Sequence, residues 1–319
     1  MKIHRDFPLS EILFYKIGGM ASHILEARSR DDIIEAFNFI KKNNIQKWFI
    51  VGLGSNLLVN DTPFAGAVIW IREGENPQFA VTQEGLIQAY AGETLDSLTQ
   101  YAFAQGFINL ENLGGLPTTI GGAIHGNAGA FGIEMKHVVE KVEVFDTTTG
   151  NIRTFNVADC EFDYRDSVFK QDRNLLILQG FFRLQKSDVQ SIANAKKIYR
   201  EQIAYREANH PVEYPSCGSV FKNIIDKEKV AKIVSIWPDT SDLIQTKWHG
   251  KVSMGYIIKR LGLAGLQIGG AQISEKHANY ISNVTNAKFT DVITLIDKIK
   301  EGFYNTFGFY PELEVEIIK

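Results

Sequence analysis

The chain of 319 residues is predicted to be an α+β protein. Three patterns predict this class. A helix with one apolar face covers Arg30–Asn43 and precedes the apolar strand Trp48–Val51. Two strand-like segments, Val142–Asp146 and Ile152–Val157, flank a turn-forming stretch and indicate a β-hairpin. A long polar helix then covers Ser187–Asn209 and ends before a proline.

The remaining elements of the first part follow from capping residues and apolar runs. Ser29 provides the N-cap of the first helix, because its hydroxyl can accept from a main-chain N–H of the first turn. Further strands are predicted at Val68–Ile71, Leu86–Ala91 and Leu175–Leu178. Between them, a helix is expected to begin after its cap Thr94 and to stop at Gly106.

A second α+β unit is predicted after the long helix. Its elements are a helix around Ile257–Arg260, a strand at Tyr280–Ile281, a helix over Thr290–Tyr304 and a terminal strand at Leu313–Ile318. The composition changes at Ser187, and the helix that starts there is interpreted as a connector. We therefore predict a first region over residues 1–188, and a connector helix with a second domain over residues 189–319.

The overall composition excludes several classes of protein. With 45% hydrophobic residues, the chain is predicted to be globular. Its formal net charge of -3 gives no overall electrostatic attraction to nucleic acid. Its two cysteines, Cys160 and Cys217, have no metal-ligand spacing and no basic neighbours, so we expect reduced packing residues and no metal site. Since neither a signal peptide nor a run of eighteen apolar residues is present, a cytoplasmic protein is expected, without membrane association.

Two glycine-rich segments point to a ligand that the main chain contacts. The longer one, Gly114–Gly132, reads GGLPTTIGGAIHGNAGAFG, and so little side-chain bulk favours contact with a phosphate group. The shorter one, Gly52–Asn56, follows a strand and can either aim its N–H groups at a phosphate or form a tight hairpin. Neither segment fits a named nucleotide-binding motif.

Three further clusters place polar residues in apolar surroundings. Arg165, in YRDSVFK, suits recognition of a carboxylate or phosphate, or pairs structurally with Asp166. Ser219, in PSCGSVFKN, is either a helix cap or a proton donor, and no GxSxG pattern surrounds it. Glu314 belongs to an alternating strand whose carboxylates are either solvated or face a cleft. His125 and His277 are expected to be packed or hydrogen-bonded.

Taken in order along the chain, these segments resemble the UDP-N-acetylenolpyruvoylglucosamine reductase family. The matching pieces are GLGSNLLV, the long glycine segment, CEFDYRDSVFK, PSCGSVFKN, GGAQISEKHANYISN and LEVEII, which span about Phe14 to Ile318. The short interval between YRDSVFK and GSVFKN is similar to the family's second type. Thr118 departs from the family pattern, which has glycine after the proline, so the backbone there needs a negative φ.

The resemblance implies a fold and a cofactor. The fold is an FAD-binding region of the PCMH type with two α+β subdomains, about 1–75 and 76–188, followed by an α+β substrate-binding domain. The FAD is expected to be bound non-covalently, with NADPH as co-substrate. The residues of this chain that match the family's flavin-binding positions are Gly52, Gly54, Ser55, Asn56, Gly121, Gly122, Asn127, Ala128 and Gly129.

The resemblance also implies an activity in the synthesis of peptidoglycan precursors. Hydride passes from NADPH to FAD, and then from FAD to the enolpyruvyl group of UDP-N-acetylglucosamine enolpyruvate. In this chain Arg165 and Glu314 match the pair that polarises the substrate carboxyl group, and Ser219 matches the general acid. Tyr164, Lys222 and Asn223 match residues near the substrate. A monomeric enzyme is expected.

Two other functions remain open at this point. An FAD-dependent oxidase of the same flavin-binding superfamily would react rapidly with oxygen and would not need Arg165, Ser219 and Glu314 together. A flavin-binding protein without turnover would hold FAD that NADPH does not bleach. The presence of all three residues favours the reductase.

Overall fold

The computed structural model describes residues 1–319, which form two compact units. The first unit contains Met1–Pro8, Met20–Gly54 and Pro63–Ala208. The second contains Leu9–Gly19, Ser55–Thr62 and Asn209–Lys319.

This division differs from the boundary expected near residue 188. Nearly all of the connector helix belongs to the first unit, and two short segments from the first sixty-two residues belong to the second. Hydrogen bonds explain the second difference. The buried hydroxyl of Tyr15 donates to the carbonyl of Ile281 at 2.8 Å, and the amide of Asn283 donates to the carbonyl of Tyr15 at 3.2 Å. Partners so distant in sequence leave no local pattern.

The chain forms eighteen strands and nine α-helices, with short 3-10 turns between some of them. The strands are β1 (Lys2–Pro8), β2 (Met20–Ala27), β3 (Trp48–Val51), β4 (Leu57–Val59), β5 (Phe64–Ile71), β6 (Phe79–Val81), β7 (Ile87–Tyr90), β8 (Phe107–Ile108), β9 (Gly129–Ala130), β10 (Ile133–Glu134), β11 (Val139–Asp146), β12 (Asn151–Asn156), β13 (Leu175–Phe182), β14 (Gln185–Lys186), β15 (Gln267–Ile268), β16 (Ala271–Ile273), β17 (Ile281–Asn283) and β18 (Glu316–Ile318). The helices are α1 (Arg30–Lys42), α2 (Leu95–Ala104), α3 (Ile120–His125), α4 (Val168–Gln171), α5 (Val189–Asn209), α6 (Lys227–Ile236), α7 (Thr240–Thr246), α8 (Met254–Arg260) and α9 (Phe289–Phe307).

The first unit is built on two larger sheets, and it also contains the two-stranded pairs β9 with β10 and β8 with β14. One has the order β1-β2-β5-β3, with β1 antiparallel to β2 and β5 parallel to both β2 and β3. The other has the order β12-β11-β13-β7-β6 and is antiparallel throughout. One continuous apolar cluster contains side chains of both sheets and of α1, α2 and α3. Such a shared core holds the loops that follow the strands in defined positions.

The local predictions for this unit are confirmed. Ser29 accepts from the N–H of Asp32 at 3.2 Å and caps α1, while Thr94 accepts from Ser97 and caps α2. The predicted hairpin is the antiparallel pair β11 and β12. Both helices begin where short hydroxyl side chains can satisfy first-turn N–H groups.

The second unit combines helices with two small sheets. β15, β16 and β17 are antiparallel, and β18 pairs in parallel with β4. Helix α9 buries one face, which includes Leu295, Ile299 and Phe303, in the core of this unit. The terminal strand is shorter than predicted, because the chain at Leu313 forms only an isolated bridge, with Phe221.

No helix in the chain is both long enough and apolar enough to cross a lipid bilayer.

The hydrogen bond from Tyr15 to Ile281 gives a stability test of the unit assignment. Tyr15 is fully buried, so Tyr15→Phe leaves a buried carbonyl without its donor. We expect a loss of about 1–3 kcal/mol in the free energy of unfolding, measured by urea titration. Tyr304→Phe is the control, because that side chain is 44% exposed and should change stability little. Equal effects of both variants would contradict the assignment.

Candidate active site

The turn Gly52–Asn56 does not join a hairpin. The strands on either side of it pair elsewhere, β3 with β5 and β4 with β18. None of its five main-chain N–H groups donates a hydrogen bond within the protein. Gly54 has a φ of 65°, a left-handed conformation that suits glycine. Consecutive N–H groups that lack protein acceptors are typical of sites for phosphate oxygens.

The N-terminus of α3, in the long glycine segment, has no such free donors. Its first three N–H groups donate to the carbonyls of Glu93 and Ala91 and to the hydroxyl of Thr119, at 2.8, 2.8 and 3.2 Å. This helix start is therefore capped by the protein itself. The departure at Thr118 is accommodated, because its φ is not positive.

The glycines of these segments instead permit neighbouring groups to pack closely against the main chain. A Cβ on Gly52 would lie 2.5 Å from the Thr119 hydroxyl oxygen, and one on Gly129 would lie 2.6 Å from the Ile133 carbonyl oxygen. At Gly121 a Cβ would come within 3.2 Å of the Ala91 side chain. The absence of side chains thus brings the turn after β3 against the start of α3.

Asn127 and Ala128 are also occupied by bonds within the protein. Asn127 is fully buried, and its amide donates to the Glu134 carboxylate at 3.1 Å and to the Asp163 carbonyl at 2.8 Å. Its amide oxygen accepts from the N–H of Lys136 at 3.0 Å. The N–H of Ala128 donates within the segment at 2.8 Å. These two residues shape the loop from inside.

Arg165 lies in the tight turn of a small hairpin. The N–H and carbonyl groups of Asp163 and Asp166 bond reciprocally at 3.1 Å, with Tyr164 and Arg165 between them. Arg165 has a φ of 58°, which is uncommon for a residue with a long side chain. Its guanidinium donates to the Gly129 carbonyl at 3.0 Å and lies 5.3 Å from the Tyr164 ring.

The structural ion pair of Arg165 with Asp166 does not form. The carboxylate of Asp166 accepts instead from the N–H of Ser167 at 2.9 Å and from the Gln171 amide at 3.2 Å. The buried Ser167 hydroxyl in turn donates to the carbonyl of His125 at 2.7 Å. The structure therefore places the YRDS turn against the glycine segment, 36 residues earlier in the chain.

In the second unit, Ser219 follows a left-handed glycine and is not a helix cap. Gly218 has a φ of 74°, and a Cβ there would lie 3.6 Å from the Ser55 carbonyl oxygen. The next helix, α6, begins only at Lys227 and is capped by Asp226. The Ser219 side chain is half-buried, two residues before the isolated bridge at Phe221.

The main chain of Glu314 is hydrogen-bonded to Val220, the residue that follows Ser219. Its N–H donates to the carbonyl of Val220 at 2.8 Å, and its carbonyl accepts from the Asn56 amide at 3.1 Å. The negative charge of Glu314 also contributes to the raised pKa of Cys217, although burial is the larger cause. Asn56, Ser219 and Glu314 therefore lie in one region of the second unit, although Asn56 and Glu314 are 258 residues apart in sequence.

Lys222 and Asn223 follow the isolated bridge at Phe221. The Lys222 ammonium lies 4.0 Å from the Glu312 carboxylate. The Asn223 amide oxygen accepts from the N–H of Met254 at 3.0 Å, which leaves its NH2 group for another acceptor.

Sequence reasoning missed the residues that hold these clusters. Asp163 and Ser167 anchor the YRDS turn, and Asn279 anchors the isolated bridge residue Phe221 by bonding both its N–H and its carbonyl. The only sequence signal for these residues is a short polar side chain in an apolar run. Because caps and turns throughout the chain show the same signal, it does not single them out.

The cysteines and His277 behave as packing residues. Burial raises the pKa of both Cys160 and Cys217 to about 12. Burial also lowers the pKa of His277, which keeps its ring neutral near pH 7. None of the three is suited to carry charge at neutral pH.

Comparison with known proteins gives the class first. Residues 21–156 match an FAD binding domain, and residues 210–318 match the C-terminal domain of UDP-N-acetylenolpyruvoylglucosamine reductase. The chain is thus an FAD-binding oxidoreductase with an α+β fold and a C-terminal substrate-binding domain, as predicted.

The relatives then give the family. The UDP-N-acetylenolpyruvoylglucosamine reductase of Carboxydothermus hydrogenoformans is 33% identical over 98% of this chain and 92% of its own length. That of Caldicellulosiruptor saccharolyticus is 35% identical over 98% and 91%. The solved structure of the Thermus caldophilus reductase covers 100% of both chains, with a TM-score of 0.76 and 26% identity. The chain belongs to the UDP-N-acetylenolpyruvoylglucosamine reductase family.

A Cβ at Gly52 should damage the cofactor site. Gly52→Ala forces Thr119 or the turn to move, so we expect FAD affinity to fall roughly tenfold or more in fluorescence titrations. The control is Gly302→Ala in α9, where the nearest atom lies 3.7 Å from the added Cβ. Wild-type FAD affinity in Gly52→Ala would show that the turn does not hold the cofactor.

Both cysteine thiols should be unreactive towards thiol reagents in the native protein. At pH 8 a thiol of pKa about 12 is ionised in only about one molecule in 10⁴, and both side chains are buried. We expect Ellman's reagent to detect no rapidly reacting thiol in the native protein and two after denaturation. A fast-reacting native thiol would contradict the packing role.

Proposed function

We propose that this chain reduces the enolpyruvyl group of UDP-N-acetylglucosamine enolpyruvate, with NADPH as the reductant, to form UDP-N-acetylmuramate. The observation that carries the proposal is family membership over 98% of the chain, together with the retention of Arg165, Ser219 and Glu314. This reaction supplies a peptidoglycan precursor. Because its substrates are soluble nucleotides, we also propose a cytoplasmic enzyme, and we expect a monomer in size-exclusion chromatography.

The FAD fits the residues of the glycine segments. The N–H groups of Gly52, Gly54, Ser55 and Asn56 have no protein acceptors and are available to the pyrophosphate. Gly121, Gly122 and Gly129 are proposed to line the cofactor site with their main chain, because they carry no side chain. Non-covalent binding is proposed. When bound, FAD supplies the site that accepts hydride from NADPH and releases it to the substrate.

Arg165 is proposed to bind the carboxylate of the enolpyruvyl group. A guanidinium is permanently charged and matches a carboxylate with two parallel N–H bonds. Its left-handed backbone and its bond to Gly129 hold the side chain in a defined direction. Hydride addition to the terminal carbon leaves negative charge that spreads into the carboxylate, so a fixed positive charge stabilises the transition state. Tyr164, whose ring lies beside the guanidinium, is proposed to limit its orientation.

Ser219 is proposed to protonate the enolate that results, at the carbon bearing the carboxylate. A serine hydroxyl is a weak acid, so it can serve only where it is held at the reacting carbon and can be reprotonated. The half-buried position after a left-handed glycine fixes its backbone. Glu314 is proposed to act on the same substrate carboxyl group. Lys222 and the Asn223 NH2 group are proposed to bind the sugar nucleotide.

Anaerobic spectroscopy tests the class of reaction. Addition of NADPH should bleach the visible flavin band, and UDP-N-acetylglucosamine enolpyruvate should restore it without oxygen. Reoxidation by oxygen alone, with no response to the sugar nucleotide, would identify an oxidase. A flavin that NADPH does not bleach would identify a binding protein.

Loss of the Ser219 hydroxyl should affect one half of the reaction only. For Ser219→Ala we expect product formation to slow by roughly 10²-fold, because the enolate loses its proton donor, while the rate of flavin bleaching by NADPH stays near that of the wild type. Stopped-flow absorbance separates the two rates. Ser235→Ala, an exposed serine of α6, is the control. A normal second half-reaction in Ser219→Ala would assign the proton to another group.

A further inference from the structure

We propose that Asn127 is a positioning residue for Arg165 and does not contact the flavin through its side chain. The resemblance to the family had placed Asn127 among the flavin-binding residues. This inference rests on the role proposed for Arg165, and it concerns how that role is made possible.

The first argument is that the hydrogen-bonding groups of the Asn127 side chain are all used within the protein. An asparagine side chain has two N–H donors and one carbonyl oxygen. Both donors are used, by the Glu134 carboxylate at 3.1 Å and the Asp163 carbonyl at 2.8 Å, and the oxygen accepts from Lys136 at 3.0 Å. The residue is also 0% exposed. No donor and no exposed surface of this side chain remain for a ligand.

The second argument is what the Asp163 carbonyl belongs to. Asp163 begins the two-residue turn that carries Tyr164 and Arg165, and its N–H and carbonyl also close that turn with Asp166. The Asn127 amide therefore bonds the first residue of the turn in which Arg165 has a φ of 58°. An uncommon backbone conformation persists where the surrounding contacts determine it.

The third argument is that the other tethers run to the same segment. The Ser167 hydroxyl bonds the His125 carbonyl, and the Arg165 guanidinium bonds the Gly129 carbonyl. Residues 125, 127 and 129 thus bond Ser167, Asp163 and Arg165 of the turn, respectively. The bonds of Asn127 and Ser167 tie the turn to the glycine segment without involving an atom of Arg165, and that of Asn127 is made to the residue at which the turn begins.

The two roles of Asn127 predict different kinetics for Asn127→Ala. A positioning role leaves FAD affinity and NADPH-dependent bleaching within about threefold of wild type, and slows flavin reoxidation by the sugar nucleotide by roughly tenfold or more. A flavin-contact role weakens FAD binding and slows both half-reactions. Thr99→Val is the matched control, because Thr99 is also buried in the first unit and its hydroxyl donates to a main-chain carbonyl, at Leu95.

A double-mutant cycle tests whether Asn127 acts through Arg165. If it does, Asn127→Ala should slow the second half-reaction much less in an Arg165→Ala background than in the wild type. Additive effects in the double variant would overturn the proposal. Ser167→Ala, which removes the second tether, should reproduce the pattern more weakly and serves if Asn127→Ala does not fold.

Limited trypsin digestion provides a readout that needs no substrate. Trypsin cuts after Arg165 only when the turn opens, so we expect faster cleavage there in Asn127→Ala than in Thr99→Val, with the site identified by mass spectrometry. Unchanged cleavage would overturn the positioning role, whether or not the wild type turns over the sugar nucleotide. Failure of turnover in the wild type would instead refute the proposed function.

Discussion

The structure depends on the close approach of neighbouring groups to the main chain in the glycine-rich segments. A Cβ at Gly52 or Gly129 would lie within 2.6 Å of a neighbouring atom, so these contacts exist only because side chains are absent. Through them the turn after β3 and the loop after α3 are fixed on the core of the first unit. Glycine loses more conformational entropy on folding than other residues. In return, the lack of side chains leaves the backbone accessible to a ligand.

The chemistry proposed for the chain is divided between polar groups that the protein leaves available and polar groups that it uses itself. The turn at Gly52–Asn56 keeps its N–H groups unbonded, whereas the start of α3 donates its own to Glu93, Ala91 and Thr119. The two glycine-rich segments therefore serve different purposes. The first suits an anion, and the second is a packed support that carries the arginine turn.

The electrostatics of the two units are consistent with this division. The buried thiols and His277 are held neutral by desolvation, so they add no charge near neutral pH. Arg165 keeps a permanent charge in a turn that is hydrogen-bonded to the glycine segment at Asp163 and Ser167.

The sequence by itself determined the helices, the hairpin and the family, because capping residues, apolar periodicity and motif order are local properties. It could not show that Tyr15 belongs with Ile281, that Asn56 bonds Glu314, or that Asn127 holds Asp163. Only the tertiary structure decided these pairings. A hydrogen bond between distant residues is set by how strands and loops pack in three dimensions, and the chain carries no periodic signal for it.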